Sequence, residues 1–582
     1  MRKIFAVMGI LVVASMVLAA CGAPAAPQTI VQTVIVDGTP QVQVVEVTPV
    51  PEMEEKPAVL RINLGSYPDI VDPQKSSFVN EIAHLKLFYE GLTKFNADLE
   101  TVPGAAEKWV YNDDATQLTF TIRKDLKYSD GTLLNAARFA YAIKRNINPE
   151  TAGEYAAITD EVLGAPEWRA GDAAAEAIVD ESLKASHADG SECTGYDDAA
   201  CDTFTMTLSK PAPYFHTIMG IWVAFPAKEE NITEGGENWW NSSKYQVGNG
   251  PYVLKSLEPF VRAYFTPNAN YWGEIGKADI EYSYIVDSAV AFEAYKNNEF
   301  DMIGAAAEDM AIIKADPQLS TELLEYAGSC TFAVMLHQEK EPFTDPKVRE
   351  AFTMAFDRES WVRDVLKGVG APTLTWIPNG YPGYKEGETR WAYDPDKAKA
   401  ALAASTYGSV ENLPEIVLTF SDSPRNRTRY EWLAAKWKEV LGVDAKLNPV
   451  EPTTYTALTK DVKTAPAAFV LGWCADYPDP QNWLSVYWKT GGFGERIAYS
   501  NADFDALVNQ ADIELDPATR ADLYQQAQDV LLDSIPGAFV WNSVNSYLVK
   551  PWVKGIVTTP QDSGWAGDIN PSGITIDTTM IP

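Results

Sequence analysis

Three short stretches place apolar side chains at every second position. Leu118, Phe120 and Ile122 alternate with Thr119 and Thr121. Phe204, Met206 and Leu208 stand against Thr203, Thr205 and Thr207, and Ile416, Leu418 and Phe420 repeat the spacing. A period of two predicts strands with one buried face, and Ser129-Asp130-Gly131 after the first predicts a turn. Elsewhere the steps lengthen to three and four. Val348, Phe352, Ala355 and Phe356 form one such stripe, Leu433, Trp437, Val440 and Leu441 a second, and Leu523, Ala527, Val530 and Leu531 a third. Asp345-Pro346, Asp394-Pro395 and Asp516-Pro517 each put an N-cap before a proline at the first helical position. Strands and helices alternate without a repeating period, which predicts an α/β body. The stripes are core faces and carry no chemistry.

The first residues follow another pattern. Arg2 and Lys3 precede an apolar run from Ile4 to Val17, and Leu18-Ala19-Ala20-Cys21-Gly22 follows. The run is short of the roughly 20 residues that span a bilayer, so residues 1–20 are expected to be a signal peptide. Ending at Cys, it resembles a bacterial lipoprotein signal. That implies cleavage before Cys21 and lipidation of its thiol; plain cleavage nearby is the alternative. Acyl chains contribute about 0.8 kcal/mol per buried CH₂, enough to tether the body to a membrane. Residues 21–57 contain no aromatic residue and no Leu. They are expected to form an extended linker, with a Val-rich strand on a sheet edge as the alternative.

Charge and composition narrow the function. The chain has 582 residues, and Lys plus Arg against Asp plus Glu gives 47 − 80 = −33. Such a surface repels phosphates and excludes a nucleic-acid partner. Hydrophobic residues at 46% support a large core rather than disorder. With Cys21 lipidated, four of the five cysteines remain. Cys193 and Cys201 bracket a short acidic stretch and are expected to staple it, which leaves Cys330 with Cys474. Closing so long a loop could contribute about 4–5 kcal/mol. A zinc site is the competing reading, but the cysteines lack ligand spacing and His84, His187, His216 and His337 are scattered. No P-loop, GxGxxG, GxSxG, HExxH or EF-hand pattern is present. The expectation is a protein that is not an enzyme, with no cofactor and no metal.

Several strings, in order, resemble the oligopeptide/dipeptide-binding proteins of extracytoplasmic solute-binding family 5, which feed ABC importers. They begin with Val71-Asp72-Pro73-Gln74-Lys75, Phe88-Tyr89-Glu90-Gly91-Leu92-Thr93 and the segment from Val102 to Trp109. Phe120-Thr121-Ile122-Arg123-Lys124, Tyr128-Ser129-Asp130-Gly131-Thr132, Gly250-Pro251-Tyr252 and Asn270-Tyr271-Trp272 follow. Then come Pro342 to Arg349, Phe356-Asp357-Arg358-Glu359, Gly472-Trp473-Cys474-Ala475-Asp476-Tyr477 and Leu548 to Val553. Singly these are weak; their common order from about residue 58 onward is specific. The resemblance implies a two-lobed periplasmic-binding-protein-like fold (type II, cluster C) with three domains. Domain I is expected at 58–89, 212–329 and 545–582, domain II at 90–211 and domain III at 330–544. It also supports the Cys330–Cys474 pairing, because the Cys of the Gly472 string pairs in the oligopeptide branch with one opening the third domain.

The same resemblance assigns a site. Asp476 meets a ligand ammonium; the bland alternative is that it caps the turn at Asp476 to Pro480. The backbones of Gly472, Trp473 and Cys474 pair with the ligand from one lobe, and Ser77, Phe78 and Val79 from the other. Trp473 and Trp483 wall side-chain pockets, although either could be core. The chain departs from the pattern where some oligopeptide binders place an Arg, here Val470, and a His, here near Asn426. Arg425 and Arg427, with Arg429, could take a ligand carboxylate instead, or be solvated helix-start charges. The expected partners are a peptide, the importer's membrane permease and, through Cys21, the membrane, with the protein a monomer. A sugar or other small-solute receptor on the same fold and a surface hydrolase are the competing functions.

Overall fold

The computed structural model describes residues 28–36, 39–47 and 58–582, which fall into two units, 1–57 and 58–582. The expected signal peptide 1–20 and Cys21 lie outside the described residues. In the first unit Gln28–Val36 pairs antiparallel with Thr39–Val47, Val36 opposite Thr39 and Gln28 opposite Val47. The expected extended linker is corrected here. Val, Ile and Thr favour the pleated conformation, and the two strands satisfy each other.

The second unit is built on an eleven-stranded mixed sheet. Its order is Tyr252–Glu258, Arg262–Pro267, Asp279–Ser283, Val59–Asn63, Met302–Gly304, Gly537–Val549, Leu323–Leu336, Ala468–Cys474, Val417–Ser421 and Lys446–Val450, with Ala371–Pro372 added on Gly537–Val549. Leu323–Leu336 and Gly537–Val549 are the long members, 14 and 13 residues. Together they run from one half of the sheet into the other. Their register breaks between Ala327 and Thr331. There the Ser543 hydroxyl accepts the Cys330 amide at 2.9 Å. A Cβ on Gly328 would lie 2.3 Å from that hydroxyl, so the strands can approach only with glycine there. A separate four-stranded sheet orders Ala106–Tyr111, Gln117–Ile122, Thr203–Thr207 and Leu183–Ser186.

The alternating stretches lie on strands, with Leu118, Phe120, Ile122, Phe204, Met206, Leu418 and Phe420 buried. Leu208 falls one residue past its strand and bridges to Val162. Each Asp-Pro pair caps a helix. The Asp345, Asp394 and Asp516 side chains accept from Lys347, Lys397 and Thr519. Ala355 and Phe356 lie beyond the end of Pro346–Met354, because Asp357 starts the next short helix; both are still buried. Pro424–Leu441 is capped by Ser423 and closed by Gly442 at φ +78°, the left-handed conformation glycine adopts without strain.

The apolar interior divides. One core gathers residues between Leu60 and Met302 with Trp552, Trp565 and Ile574. Two others gather residues between Ala333 and Trp541. Two side chains break the division. Tyr477 is buried in the first core, and Leu99 in the core that holds Trp376 and Trp483. Cys193 is bonded to Cys201 and Cys330 to Cys474, so these sulfurs are not thiolate ligands. Among the described residues no helix is long and apolar enough to cross a membrane.

Gly537 sits where the long strands press main chain against main chain. A Cβ there would meet Val334 O at 2.4 Å and Met335 Cα at 3.2 Å, both main chain. Gly537→Ala must part the strands. It is expected to cost about 1–3 kcal/mol, read as a lower urea midpoint at unchanged slope.

Candidate ligand-binding site

Ala468–Cys474 pairs on one edge with Leu323–Leu336, Cys474 opposite Cys330, Trp473 opposite Thr331 and Gly472 opposite Phe332. The Ala475 amide donates to Ser329 O at 3.0 Å and the His337 amide to Ala467 O at 2.9 Å. In an antiparallel ladder both main-chain groups of alternate residues face the same neighbour. Leu471 and Trp473 therefore bond toward Leu323–Leu336. Val470, Gly472 and Cys474 turn their N–H and C=O to the other edge. That edge is covered by Val417–Ser421 only at Ala468 and Phe469; further along, Tyr455 OH donates to Val470 O. Gly472, half-buried, and Cys474, exposed, thus present open main-chain groups. The expectation for Trp473 is corrected: its backbone is committed to the sheet, and only its ring is available. Gly472 is needed for packing too, since a Cβ would stand 2.6 Å from the Phe332 ring, which stacks on Trp541.

The chain then turns through Ala475 to Asp476. Asn482 organises this corner. Its Oδ1 accepts from Trp473 Nε1 at 3.1 Å and from the Asp476 amide at 3.2 Å. Both are donors only, which fixes the amide orientation and points Nδ2 at Asp476 Oδ2, 2.9 Å away. Tyr155 OH donates to Asp476 Oδ1 at 3.1 Å. Gln561 Nε2 reaches the carbonyls of Ala475 and Asp476 at 3.1 and 3.2 Å, and its Oε1 accepts from Tyr381 OH at 2.6 Å. Tyr155 and Asn482 hold the carboxylate, and Gln561 the main chain beside it. None of the ion pairs among the described residues involves it. Burial pushes its pKa up to about 6, against the lowering effect of the Asn482 and Tyr155 hydrogen bonds. The turn-capping alternative falls to another residue: Asp479 accepts the Gln481 amide at 2.8 Å and pairs with Arg520. The Tyr155 hydroxyl and the Asn482 amide lie against the carboxylate oxygens, and the residue stays half-buried.

The remaining candidates divide. The Ser77 and Phe78 amides both donate to Glu81 Oε2, at 2.8 and 3.0 Å, and Phe78 O accepts the first amides of helix Val79–Phe88. Pairing of a ligand with the Ser77 and Phe78 amides is therefore corrected: a capping carboxylate has claimed them. What Phe78 and Val79 offer is apolar surface, each 63% exposed. Trp483 is also corrected. It is fully buried against Trp376 and Tyr381 and walls no space. Arg427 is held bidentately by Asp422 at 2.7 and 2.6 Å. Arg425 faces Glu308 at 3.7 Å. One turn on, Arg429 has a buried Nε without a partner, and burial and Arg425 lower its pKa. Arg425, Arg429, Lys314, Arg363 and Lys367 line a cavity of about 420 Å³. Sequence reasoning missed Tyr155, Asn482, Gln561 and Arg429's lack of a partner. Only Asn482 had a local signal, its place just after the Asp479-Pro480 cap.

The sequence profile of the bacterial extracellular solute-binding proteins, family 5 (middle region), matches residues 100–495, about two thirds of the chain. The periplasmic oligopeptide-binding protein OppA of Escherichia coli is 29% identical over 516 residues, covering 86% of this chain and 90% of its own. The dipeptide-binding protein DppE of Bacillus subtilis is 28% identical over 523 residues, covering 87% and 91%. In fold, the chain is similar to the unliganded open form of the murein tripeptide-binding protein MppA, with a TM-score of 0.74 and 24% identity over 90% of this chain and 98% of that one.

The carboxylate at this corner is open to direct measurement. A carbon-detected NMR titration of Asp476 in the unliganded protein is expected to give a midpoint of about 6. Asn482→Ala removes a hydrogen bond to the charged form and should move that midpoint upward; a downward or null shift would contradict the network.

Proposed function

The chain belongs to the bacterial extracellular solute-binding proteins of family 5, and from that premise we propose that it captures peptides between two lobes and delivers them, chemically unaltered, to an ABC-importer permease. One observation carries the reading: a half-buried carboxylate with only neutral donors stands at the end of an open strand edge. A receptor for peptides of varied sequence must draw affinity from what all peptides share, their main-chain groups and charged ends. An extended ligand can add to the open edge as a further strand, using Gly472 and Cys474. Its ammonium then meets Asp476, where a charge-assisted hydrogen bond is stronger than the neutral ones present. The Tyr155 hydroxyl oxygen, beside the same carboxylate, can accept a further ammonium N–H. Trp473, whose ring packs on Tyr487 and Phe493, bounds the adjoining side-chain space.

At the other end, Arg425 and Arg429 are the groups suited to a ligand carboxylate; Arg427, occupied by Asp422, is not. The lobes move about the register break between Ala327 and Thr331, in the hinged closure known for such receptors. In this reading the domain limits are 58–89, 212–329 and 545–582, then 90–211, then 330–544. Acylation at Cys21 holds the protein at the membrane, and it works as a monomer without a cofactor.

Asp476→Asn is expected to weaken binding of unmodified short peptides by about 2–5 kcal/mol, as when one partner of a buried charge pair is lost, and to leave N-acetylated peptides nearly unaffected. Calorimetry on the peptide best retained from a mixed pool reads this; an unchanged dissociation constant removes Asp476 from the site. Arg429→Gln should cost about 1.5–3 kcal/mol for peptides with a free C-terminus and little for their C-terminal amides. Equal losses for both would place the carboxylate elsewhere.

A further inference from the structure

We propose that Leu99 and Tyr477 form a reciprocal latch that holds the two lobes in their observed arrangement and, through it, sets the position of Asp476. Every other residue of the core around Trp376 and Trp483 comes from residues 333–539, yet Leu99 is among them, 3% exposed. Conversely, the core built from residues 60–302 and the C-terminus holds one residue from the opposite lobe, Tyr477, 1% exposed. Each lobe thus plugs one side chain into the interior of the other.

The Leu99 plug is presented under strain. Its φ is +60°, a left-handed conformation that costs a Cβ-bearing residue energy and persists only where surroundings impose it. The surroundings are a short turn between Thr93–Phe95 and Thr101–Pro103. Asn96 Oδ1 accepts the Asp98 and Glu100 amides at 3.0 and 2.9 Å, and Asn96 O accepts the Leu99 amide at 3.1 Å. A rigid turn holding a large apolar side chain outward from its own domain has no packing purpose there. Its purpose lies in the lobe it enters. Tyr477 is the chain neighbour of Asp476, and its hydroxyl is bonded to Gln481. Gln481 in turn donates to Tyr214 of the first lobe at 3.3 Å. Seating Tyr477 therefore brings Asp476 under Tyr155 and the Ala475 and Asp476 carbonyls onto Gln561. Apolar burial holds the lobes together without regard to ligand sequence, while the polar contacts set their register.

The latch rests on the two-lobed capture reading, and the test separates them. Leu99→Gly removes the plug and relieves the backbone strain, so the fold is retained; Leu99→Met keeps an apolar plug. Small-angle scattering on the unliganded protein is expected to show a larger radius of gyration for Leu99→Gly than for wild type, with Leu99→Met unchanged. Stopped-flow on the best-retained short peptide is expected to show dissociation from Leu99→Gly faster by about threefold or more, as the latched population falls. Wild-type scattering and wild-type dissociation in Leu99→Gly would overturn the latch. So would a parallel loss in Leu99→Met, which would make the turn rather than the plug responsible. If the wild-type protein retains no peptide, the capture reading fails, and the scattering comparison still decides the latch.

Discussion

Among the described residues, the Asp476 carboxylate is stabilised by dipoles and by no cation. A charge taken partly out of water is costly unless it is paired, and this one has only a phenol and an amide as donors. The surrounding construction follows from that constraint. Asn482 must be oriented, and two donor-only neighbours orient it. Asp479 must take the turn-capping duty, so that Asp476 is left free. Arg520 is held bidentately by Asp479.

The main chain shows the same economy. Ala468–Cys474 lies inside a sheet for its first residues and at an edge for its last, because Val417–Ser421 stops short beside it. Unpaired edges are usually blunted in soluble proteins. Here the exposure is confined to a few residues, interrupted by a glycine whose missing side chain is demanded by Phe332. The edge is therefore specific in length and position.

Much of this was legible in the sequence and some was not, for physical reasons. Strands and helices whose apolar period matched their geometry could be read directly, and the Asp-Pro caps marked where three helices begin. The resemblance of one short string pointed to Asp476 and Gly472, which the structure places beside Tyr155 and Asn482 and on the open side of the last strand residues. Trp473 was half legible: its identity could be read, but the direction of its amide depends on ladder parity, which needs the register with Cys330. Ser77 and Phe78 misled because the carboxylate that claims their amides, Glu81, reads locally as an ordinary helix residue. Trp483 misled because an indole suits a core and a cleft equally. Tyr155 and Gln561 carry no local pattern; they reach Asp476 from 321 and 85 positions away. The paired strands of residues 28–47 were read as spacer because composition alone undervalues β-branched runs.

The bond between Cys330 and Cys474 joins two residues that face each other across neighbouring strands. Side chains and main-chain groups alternate with a period of two, so sliding one strand by a single position would invert everything it displays. The amides of Trp473 and Leu471 would then face outward, and those of Gly472 and Cys474 would vanish into the ladder. A covalent tie at the last rung forbids that misalignment. It acts as a dowel: the same peptide groups stay turned to the open edge.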